Sequence, residues 1–267
     1  MLREKSTAYC IDAHLHLQDK RLATDCEGVI QRAGKRGVQR FFCNATCEQD
    51  WEKVYTLAEH FPCIVPFWGV HPWFADTPTP GWELRLQQLL QAHPGGIGET
   101  GLDKACSVDF DQQVSVFMAQ LNLAVAMQRP LVIHCIRAWG KLVDSIEVLQ
   151  GRLPPIMVHS FSGSREMMER CVGLGLYLSF STRLLNPYQE KLRRVFAATP
   201  LEHILLETDA PDQLSLFHKE QGASCNEPQW VADLYERAAE MKQCDPQDLQ
   251  TQLASNATVF THATALG

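Results

Sequence analysis

The chain has 267 residues, of which 45% are hydrophobic and 21% are charged, so it carries enough apolar material for a sizeable core. The formal net charge of −7 argues against a protein that coats duplex nucleic acid, because that mode of binding needs a broad basic face to release counterions. The sequence shows neither a signal-peptide core near its start nor an apolar run long enough to span a membrane. We therefore expect a soluble protein without a membrane partner.

Ten cysteines are scattered along the chain without a Cys-x-x-Cys pair. This distribution favours free thiols in a reducing compartment over a disulfide framework. The cytoplasm is therefore the expected location. No sequence feature indicates an obligate protein partner, and a monomer is expected.

Short apolar runs alternate with amphipathic segments along the whole chain. The spacing of the apolar residues predicts eight strands, at 9–17, 38–44, 64–71, 96–102, 130–135, 156–159, 175–180 and 203–209. Helical periodicity and glycine or proline stops predict helices at 25–37, 51–61, 82–92, 110–128, 140–150, 164–174, 188–199, 229–242 and 246–260.

This alternation predicts an α/β fold. Eight strand–helix units in about 250 residues are typical of a TIM (β/α)8 barrel, with a single domain over residues 1–267. A doubly wound open sheet is the alternative. It fits less well, because no early strand is followed by a glycine-rich phosphate-binding turn.

Imidazole and carboxylate side chains lie at the ends of the predicted strands. Side chains alternate along a strand, so His14 and His16 are predicted to point the same way, with Asp12 below them on that face. Later strands end in further polar residues: His71, Glu99, His134, His159 and Asp209. Parallel barrel strands present their C-terminal ends at one mouth, so all these histidines and acids except Asp12 are predicted to converge there.

A cation would explain such a cluster. Burying several imidazoles and carboxylates without a partner costs several kcal/mol in desolvation. Nitrogen and carboxylate ligands without thiolate fit zinc first, and also manganese, magnesium, nickel or iron. Cys135 follows His134 and should face the opposite side of the strand, so it is not counted as a ligand. Six candidate ligands exceed the need of one tetrahedral ion and predict two divalent ions that share a carboxylate.

Six short motifs occur in order along the chain. They are Asp-Ala-His-Leu-His at 12–16, Gly-Val-His-Pro at 69–72, Gly-Glu-Thr-Gly-Leu-Asp at 98–103, Ile-His-Cys at 133–135, His-Ser-Phe-Ser-Gly at 159–163 and Glu-Thr-Asp-Ala-Pro at 207–211. Together with an Asn-x-x-x-Phe ending at 256–260, they resemble the TatD-type deoxyribonucleases of the metal-dependent amidohydrolase superfamily. The resemblance covers nearly the whole chain. It implies a TIM barrel and a metal-dependent hydrolase, usually described as a DNase with 3′-to-5′ exonuclease activity.

The resemblance also implies roles for individual residues. By motif match, the metal ligands are His14, His16, Glu99, His134, His159 and Asp209. Glu99 would bridge the two ions, with His14, His16 and Asp209 at one ion and His134 and His159 at the other. A water activated by the ions would attack phosphorus while His71 stabilises charge on the phosphoryl oxygens. Asp209 could accept the proton of that water as general base, or it could act as a ligand alone.

The predicted catalytic residues are therefore Asp209, Glu99 and His71, and four residues are predicted to contact substrate: His71, Arg137, Trp73 and Glu207. Trp73 could stack on a base, and Arg137 could contact a phosphate. Glu207 could instead orient a ligating histidine. Two positions depart from the family pattern, since Trp73 and Ile136 stand where many members have histidine and arginine.

Three functions remain open from the sequence. The first is a two-metal phosphodiesterase, a 3′-5′ exodeoxyribonuclease that acts on DNA ends or single-stranded DNA. The second retains the metal site and acts on a small phosphoester, lactone or amide, because a fold does not determine a substrate. The third is a non-catalytic binding protein with a vestigial site, and the intact set of candidate ligands argues against it.

Overall fold

The computed structural model describes residues 9–262. Its strands are β1 Cys10–Leu15, β2 Val38–Asn44, β3 Ile64–Trp68, β4 Gly96–Asp103, β5 Leu131–Ile136, β6 Ile156–Val158, β7 Tyr177–Ser181 and β8 Ile204–Glu207. They form one parallel sheet in sequence order. The sheet closes between β8 and β1, where the His16 amide donates to the Ala210 carbonyl at 2.8 Å and the Asp209 amide donates to the His14 carbonyl at 2.9 Å.

Helices follow the strands and pack around them. They are α1 Lys20–Ala23, α2 Cys26–Lys35, α3 Glu48–His60, α4 Trp82–Ala92, α5 Phe110–Met127, α6 Trp139–Glu147, α7 Arg165–Gly173, α8 Glu190–Ala198, α9 Leu216–Glu220, α10 Val231–Lys242 and α11 Pro246–Thr261. A closed parallel sheet surrounded by helices is the TIM-barrel architecture, so the predicted fold is confirmed. Within residues 9–262, every helix is too short or too polar to cross a membrane.

The predicted strands are all present, but some of them end earlier than predicted. The third strand ends at Trp68 instead of reaching His71, because His71 caps a short 3-10 helix over Pro72–Phe74. The eighth ends at Glu207, and Asp209 adopts a φ of +59° in the loop that follows. The short helices α1 and α9 are absent from the prediction, since four or five residues show no helical period.

Two hydrophobic clusters hold the barrel together. The larger one lies between the strands and the surrounding helices, and the smaller one fills the barrel interior. Helix α11 closes the interior cluster with Phe260, whose ring centroid lies 5.9 Å from those of both Phe42 and Phe67. The strands are therefore buried on both faces, as expected for a parallel sheet that is covered by helices.

The predicted position of Asp12 below His14 and His16, on the same face of the strand, is wrong. Ile11 and Ala13 both belong to the interior cluster, and the pairing of β1 with β2 shifts between Asp12 and Leu15. This bulge breaks the strict alternation that would have placed Asp12 below the two histidines. Asp12 instead accepts hydrogen bonds from the backbone amide of Thr208, at 2.8 Å, and from its hydroxyl. It thus ties β1 to the chain just after β8, next to the ends that carry the histidines and Asp209.

Gly101 allows β4 to approach β5 closely. Its φ is +143°, and a Cβ at this position would lie only 2.0 Å from the carbonyl oxygen of His134. Gly101 and His134 are paired in the sheet. A residue with a side chain would therefore push β4 away from β5. This would separate Glu99 from His134 at the C-terminal mouth of the barrel.

The ten cysteines are free thiols. Burial raises the pKa of Cys43 and of Cys135 to about 12, so both stay protonated at neutral pH. Cys135 belongs to the cluster between strands and helices.

Replacing Phe260 by alanine should lower the free energy of unfolding by about 3–5 kcal/mol, because the barrel interior would lose its closing ring and keep a cavity. Val259→Ala is the matched control, since Val259 is 56% exposed and should change stability by no more than about 0.5 kcal/mol. Urea denaturation of both variants measures the difference. Equal losses would contradict the role given to Phe260.

Replacing Asp12 by alanine should cost about 2–3 kcal/mol, because the buried amide and hydroxyl of Thr208 would lose their acceptor. Asp12→Asn keeps one side-chain oxygen and should cost clearly less. Urea denaturation again gives both values. A loss that is equally small in the two variants would show that the contact between Asp12 and Thr208 does not support the barrel closure.

Candidate metal centre

A cavity of about 670 Å³ opens at the C-terminal mouth of the barrel. Each predicted ligand reaches it from a different strand end, apart from the β1 pair His14 and His16. The ligands that line the cavity surface are His16, Glu99, His134, His159 and Asp209, while His14 is fully buried beneath them. The structure thus brings all six predicted ligands together, as the convergence of barrel strands requires.

Four donor atoms, one of them an oxygen of Glu99, form a first group. His14 Nε2 lies 3.2 Å from His16 Nε2, 3.3 Å from Glu99 Oε2 and 3.6 Å from Asp209 Oδ1. His16 Nε2 lies 3.4 Å from Glu99 Oε2 and 3.5 Å from Asp209 Oδ1. Ligands of a tetrahedral ion at bond lengths of about 2.0–2.1 Å stand about 3.3–3.4 Å from one another. The spacing of this group therefore suits a single cation.

The other oxygen of Glu99 belongs to a second group. Glu99 Oε1 lies 3.0 Å from His134 Nδ1 and 2.7 Å from His159 Nε2, and those two nitrogens are 3.2 Å apart. These distances are those of hydrogen bonds and are shorter than the separation of about 3.3–3.4 Å between ligands of one ion, so a cation would move the three atoms apart by a few tenths of an ångström. One carboxylate thus faces two donor groups with its two oxygens.

The outer nitrogens of these histidines show which nitrogen is free to bind a cation. His16 Nδ1 lies 2.8 Å from the carbonyl of Asn44 and can only donate to it, so Nε2 is the nitrogen that can bind a cation, once it has lost its proton. His134 Nε2 faces Asp103 Oδ2 at 3.4 Å, and His159 Nδ1 faces Glu207 Oε1 at 3.5 Å. Metal-bound histidines commonly place their other N–H against a carbonyl or carboxylate in this way.

His71 is oriented differently from the candidate ligands. Its Nε2 lies 3.3 Å from Glu99 Oε1, so distance alone would place it in the second donor group. The backbone N–H of Trp73 donates to His71 Nδ1 at 3.1 Å, which puts the proton of the neutral ring on Nε2. Burial lowers the pKa of His71 to about 4, so the ring is neutral at pH 7. It can donate a hydrogen bond into the site but offers no lone pair there.

The histidines keep the buried carboxylates ionised. Burial alone would raise the pKa of Glu99, but the charge of the neighbouring imidazoles, His159 first among them, holds it well below its ordinary value. Burial also opposes the ionisation of Asp209, yet the hydrogen bond with His16 and the nearby histidines lower its pKa. Burial alone would lower the pKa of His16, but its contacts with Asp209 and Glu99 raise that pKa to about 9. A divalent cation would supply this compensating charge.

The residues present fit divalent cations. Imidazole and carboxylate donors without thiolate converge here, with ligand atoms within 4.8 Å of one another in each group of three. The buried carboxylates among these donors need opposite charge beside them, which a divalent cation would supply. The identity and number of the ions stay predictions.

The predicted substrate residues differ in position. Trp73 is 56% exposed and lines the cavity beside His71. Arg137 is exposed and does not line the cavity, whereas Ile136 does. Glu207 is fully buried and accepts from the Ser160 amide at 2.8 Å and from the Ser179 hydroxyl. Glu207 can therefore orient His159 but cannot touch a substrate, which corrects its assignment as a substrate contact.

Two residues of the site, Asp103 and Gln213, are not among those predicted from the sequence. Asp103 accepts from the indole N–H of Trp73 at 2.7 Å and faces His134 with the same oxygen. Gln213 donates to Asp209 Oδ2, and its side chain also contacts the hydroxyl of Ser160. Asp103 is the last residue of the Gly-Glu-Thr-Gly-Leu-Asp motif, five residues after Gly98. Its position at a strand end was a signal that it belongs to the site. Gln213 carried no such signal, because its φ of +53° and its contacts arise only in the folded loop.

Comparison with known proteins places this site in a family. A family model described as TatD related DNase matches residues 11–262. The chain is similar to the "uncharacterized metal-dependent hydrolase YjjV" of Escherichia coli K12, with 32% identity over 254 residues that cover 93% of this chain and 95% of the relative. It is also similar to the "3′-5′ ssDNA/RNA exonuclease TatD" of Salmonella typhimurium, with 31% identity and coverage of 93% and 98%.

A solved structure supports the same assignment. The crystal structure of the TatD homologue YjjV from Escherichia coli K12 matches with a TM-score of 0.88 at 29% identity, covering 95% of this chain and 98% of that chain. The resemblance carried by the six sequence motifs is therefore confirmed, and so is the predicted class of hydrolase. The chain belongs to the TatD-related DNase family and is a hydrolase of that family.

Proposed function

We propose that this hydrolase uses two divalent cations to cleave phosphodiester bonds at the 3′ end of single-stranded nucleic acid. The observation that carries the proposal is the placement of Glu99, with one oxygen in each of two donor groups. Relatives named as 3′-5′ ssDNA/RNA exonucleases support the choice of substrate.

The cations would be held by the two donor groups described above. His14, His16, Asp209 and one oxygen of Glu99 would hold the first, and His134, His159 and the other oxygen of Glu99 the second. Zinc is the first candidate, with manganese, magnesium, nickel or iron as alternatives. When bound, such ions lower the pKa of a water and neutralise charge on phosphoryl oxygens.

Asp209 is placed to accept the proton of the attacking water. Its Oδ1 faces the histidines, while Gln213 holds its Oδ2, so the carboxylate is fixed in one orientation. The histidines around it lower its pKa, which keeps it ionised and able to act as general base at neutral pH.

His71 is placed to donate to a phosphoryl oxygen. Its neutral ring carries the proton on Nε2, the nitrogen that faces the site, because Nδ1 is engaged by the Trp73 amide. Hydrogen-bond donors aimed at developing negative charge stabilise a transition state. Trp73 next to it is exposed enough to stack on a terminal base.

A second candidate substrate is a small phosphoester, lactone or amide. The observation that favours it is the apolar Ile136 in the cavity lining, with Arg137 turned out of the cavity. A site for nucleic acid would gain from a cation at that place, whereas a small substrate would not need one.

Shortening of a 5′-labelled single-stranded oligonucleotide from its 3′ end, by release of nucleotides, tests the proposal. Release should stop with a chelator and return with added divalent metal. His159→Ala should lower kcat by at least about 100-fold, since a lost metal ligand should cost more than a lost partner of a ligand. His60→Ala is the matched control, because His60 is exposed at the end of α3.

Wild-type protein that is fully loaded with metal yet releases no nucleotide would contradict a nuclease. If the same preparation hydrolyses small esters or lactones and His159→Ala does not, the second candidate replaces the first.

Asp103→Asn should weaken metal affinity by about 10–100-fold, because Asp103 faces the outer nitrogen of His134 and helps to orient that ring. Asp212→Asn is the control, since Asp212 is an exposed acid at the rim of the same cavity. Competition with a chromogenic chelator measures both. An unchanged affinity in Asp103→Asn would remove Asp103 from the support of the metal centre.

A further inference from the structure

A second groove lies beside the metal centre. It has a volume of about 440 Å³ and runs between the start of α7 and helix α8. Its charged lining residues are all cations: Arg165, Arg183, Lys191 and Arg194. None of the acidic residues among residues 9–262 lines it, although the chain as a whole has a net charge of −7. Such a separation of charge favours a polyanionic ligand.

The groove is continuous with the mouth of the barrel. Arg183 lines both the cavity of the metal centre and this groove. It follows β7 directly, in a short 3-10 helix over Thr182–Leu185. A ligand with one phosphate at the metal centre could therefore place its next phosphates along the groove without leaving the protein surface.

The cations of the groove are available to a ligand. Within the described residues, Arg183 and Lys191 have no acidic partner. Arg165 and Arg194 pair with Glu169 at 3.0 Å and with Glu190 at 3.1 Å, each on its own helix. Pairs of this kind are exposed and weak, so a phosphate can replace the carboxylate at little cost.

An aromatic ring stands beside the groove. Tyr188 is 87% exposed and directly precedes Gln189, which lines the groove. Exposed aromatic rings next to cationic grooves stack on the bases of single strands without regard to sequence. A free phosphate or a phosphorylated peptide would not use such a ring, whereas a nucleic acid would.

We propose that this groove binds the part of a single-stranded nucleic acid that lies on the 5′ side of the scissile phosphate. The proposal rests on the nuclease function proposed above. The backbone phosphates contact the four cations, and a base stacks on Tyr188. The positive end of the α7 dipole at Ser164 adds to the attraction. The groove thereby gives an acidic protein a local site for a strand.

Binding of a fluorescein-labelled 12-nucleotide strand, followed by anisotropy in the presence of chelator, tests the groove without catalysis. The double variant Lys191→Gln/Arg194→Gln should weaken binding about tenfold, since exposed charge pairs contribute only a few-fold each. The slope of log affinity against log salt should fall by about 1.4, because each phosphate contact on a single strand contributes about 0.7.

The matched control is Lys35→Gln/Arg152→Gln, which removes the same charge at the opposite end of the barrel, where α2 ends and β6 begins. Its salt slope should equal that of wild type. Equal losses in both double variants would mean that binding follows net charge alone, and an unchanged slope in Lys191→Gln/Arg194→Gln would remove phosphate contacts from the groove. Either result overturns the proposal.

Tyr188→Ala separates nucleic acid from other polyanions. It should weaken binding of the 12-nucleotide strand about fivefold or more and leave an abasic strand of the same length unaffected. An equal effect on both strands would contradict stacking.

Turnover distinguishes this proposal from the nuclease proposal. With metal present, Lys191→Gln/Arg194→Gln should raise KM for the 12-nucleotide strand and leave kcat as in wild type. If wild type binds strands through the groove but releases no nucleotide, the nuclease proposal fails, while the proposal that the groove binds a strand still holds. If wild type cleaves and the double variant has an unchanged KM, the groove proposal fails alone.

Discussion

The carboxylate of Glu99 is the group on which the rest of the site depends. It is 2% exposed, and burial of an ionised carboxylate is expensive unless opposite charge surrounds it. Imidazoles from four strand ends lie 2.7–3.4 Å from it. Those of His16, His134 and His159, whose pKa values are raised, supply that charge. Because its two oxygens face different histidines, this one side chain divides the mouth into two groups of donors.

Two local features of the barrel hold the donor atoms close together. The bulge in β1 lets His14 and His16 reach the mouth while Ile11 and Ala13 fill the interior. Gly101 lets β5 approach β4 closely enough for His134 to meet Glu99. Both features are local departures from regular sheet geometry, and both lie next to a candidate ligand. Irregular strands are common where a sheet must aim a side chain at a site.

Much of the fold and of the candidate site could be predicted from the sequence. Eight apolar runs and the helical periods between them sufficed for the barrel, and the polar residues at strand ends sufficed for the convergence of His14, His16, Glu99, His134, His159 and Asp209. The orientation of Asp12 could not be predicted, because a bulge depends on how two strands pair. The contacts of Gln213 and the burial of Glu207 depend on loops that meet only in the folded chain.

We propose that Glu99 would hold two divalent cations, one at each oxygen of its carboxylate. A crystal structure of metal-loaded protein, with anomalous scattering measured at the absorption edge of the metal, tests this claim most directly. We expect two anomalous peaks, one on each side of the Glu99 carboxylate and about 3.5–4 Å apart, with the first held by His14, His16 and Asp209 and the second by His134 and His159. A single peak, or ions held by residues outside these two groups, would contradict the account.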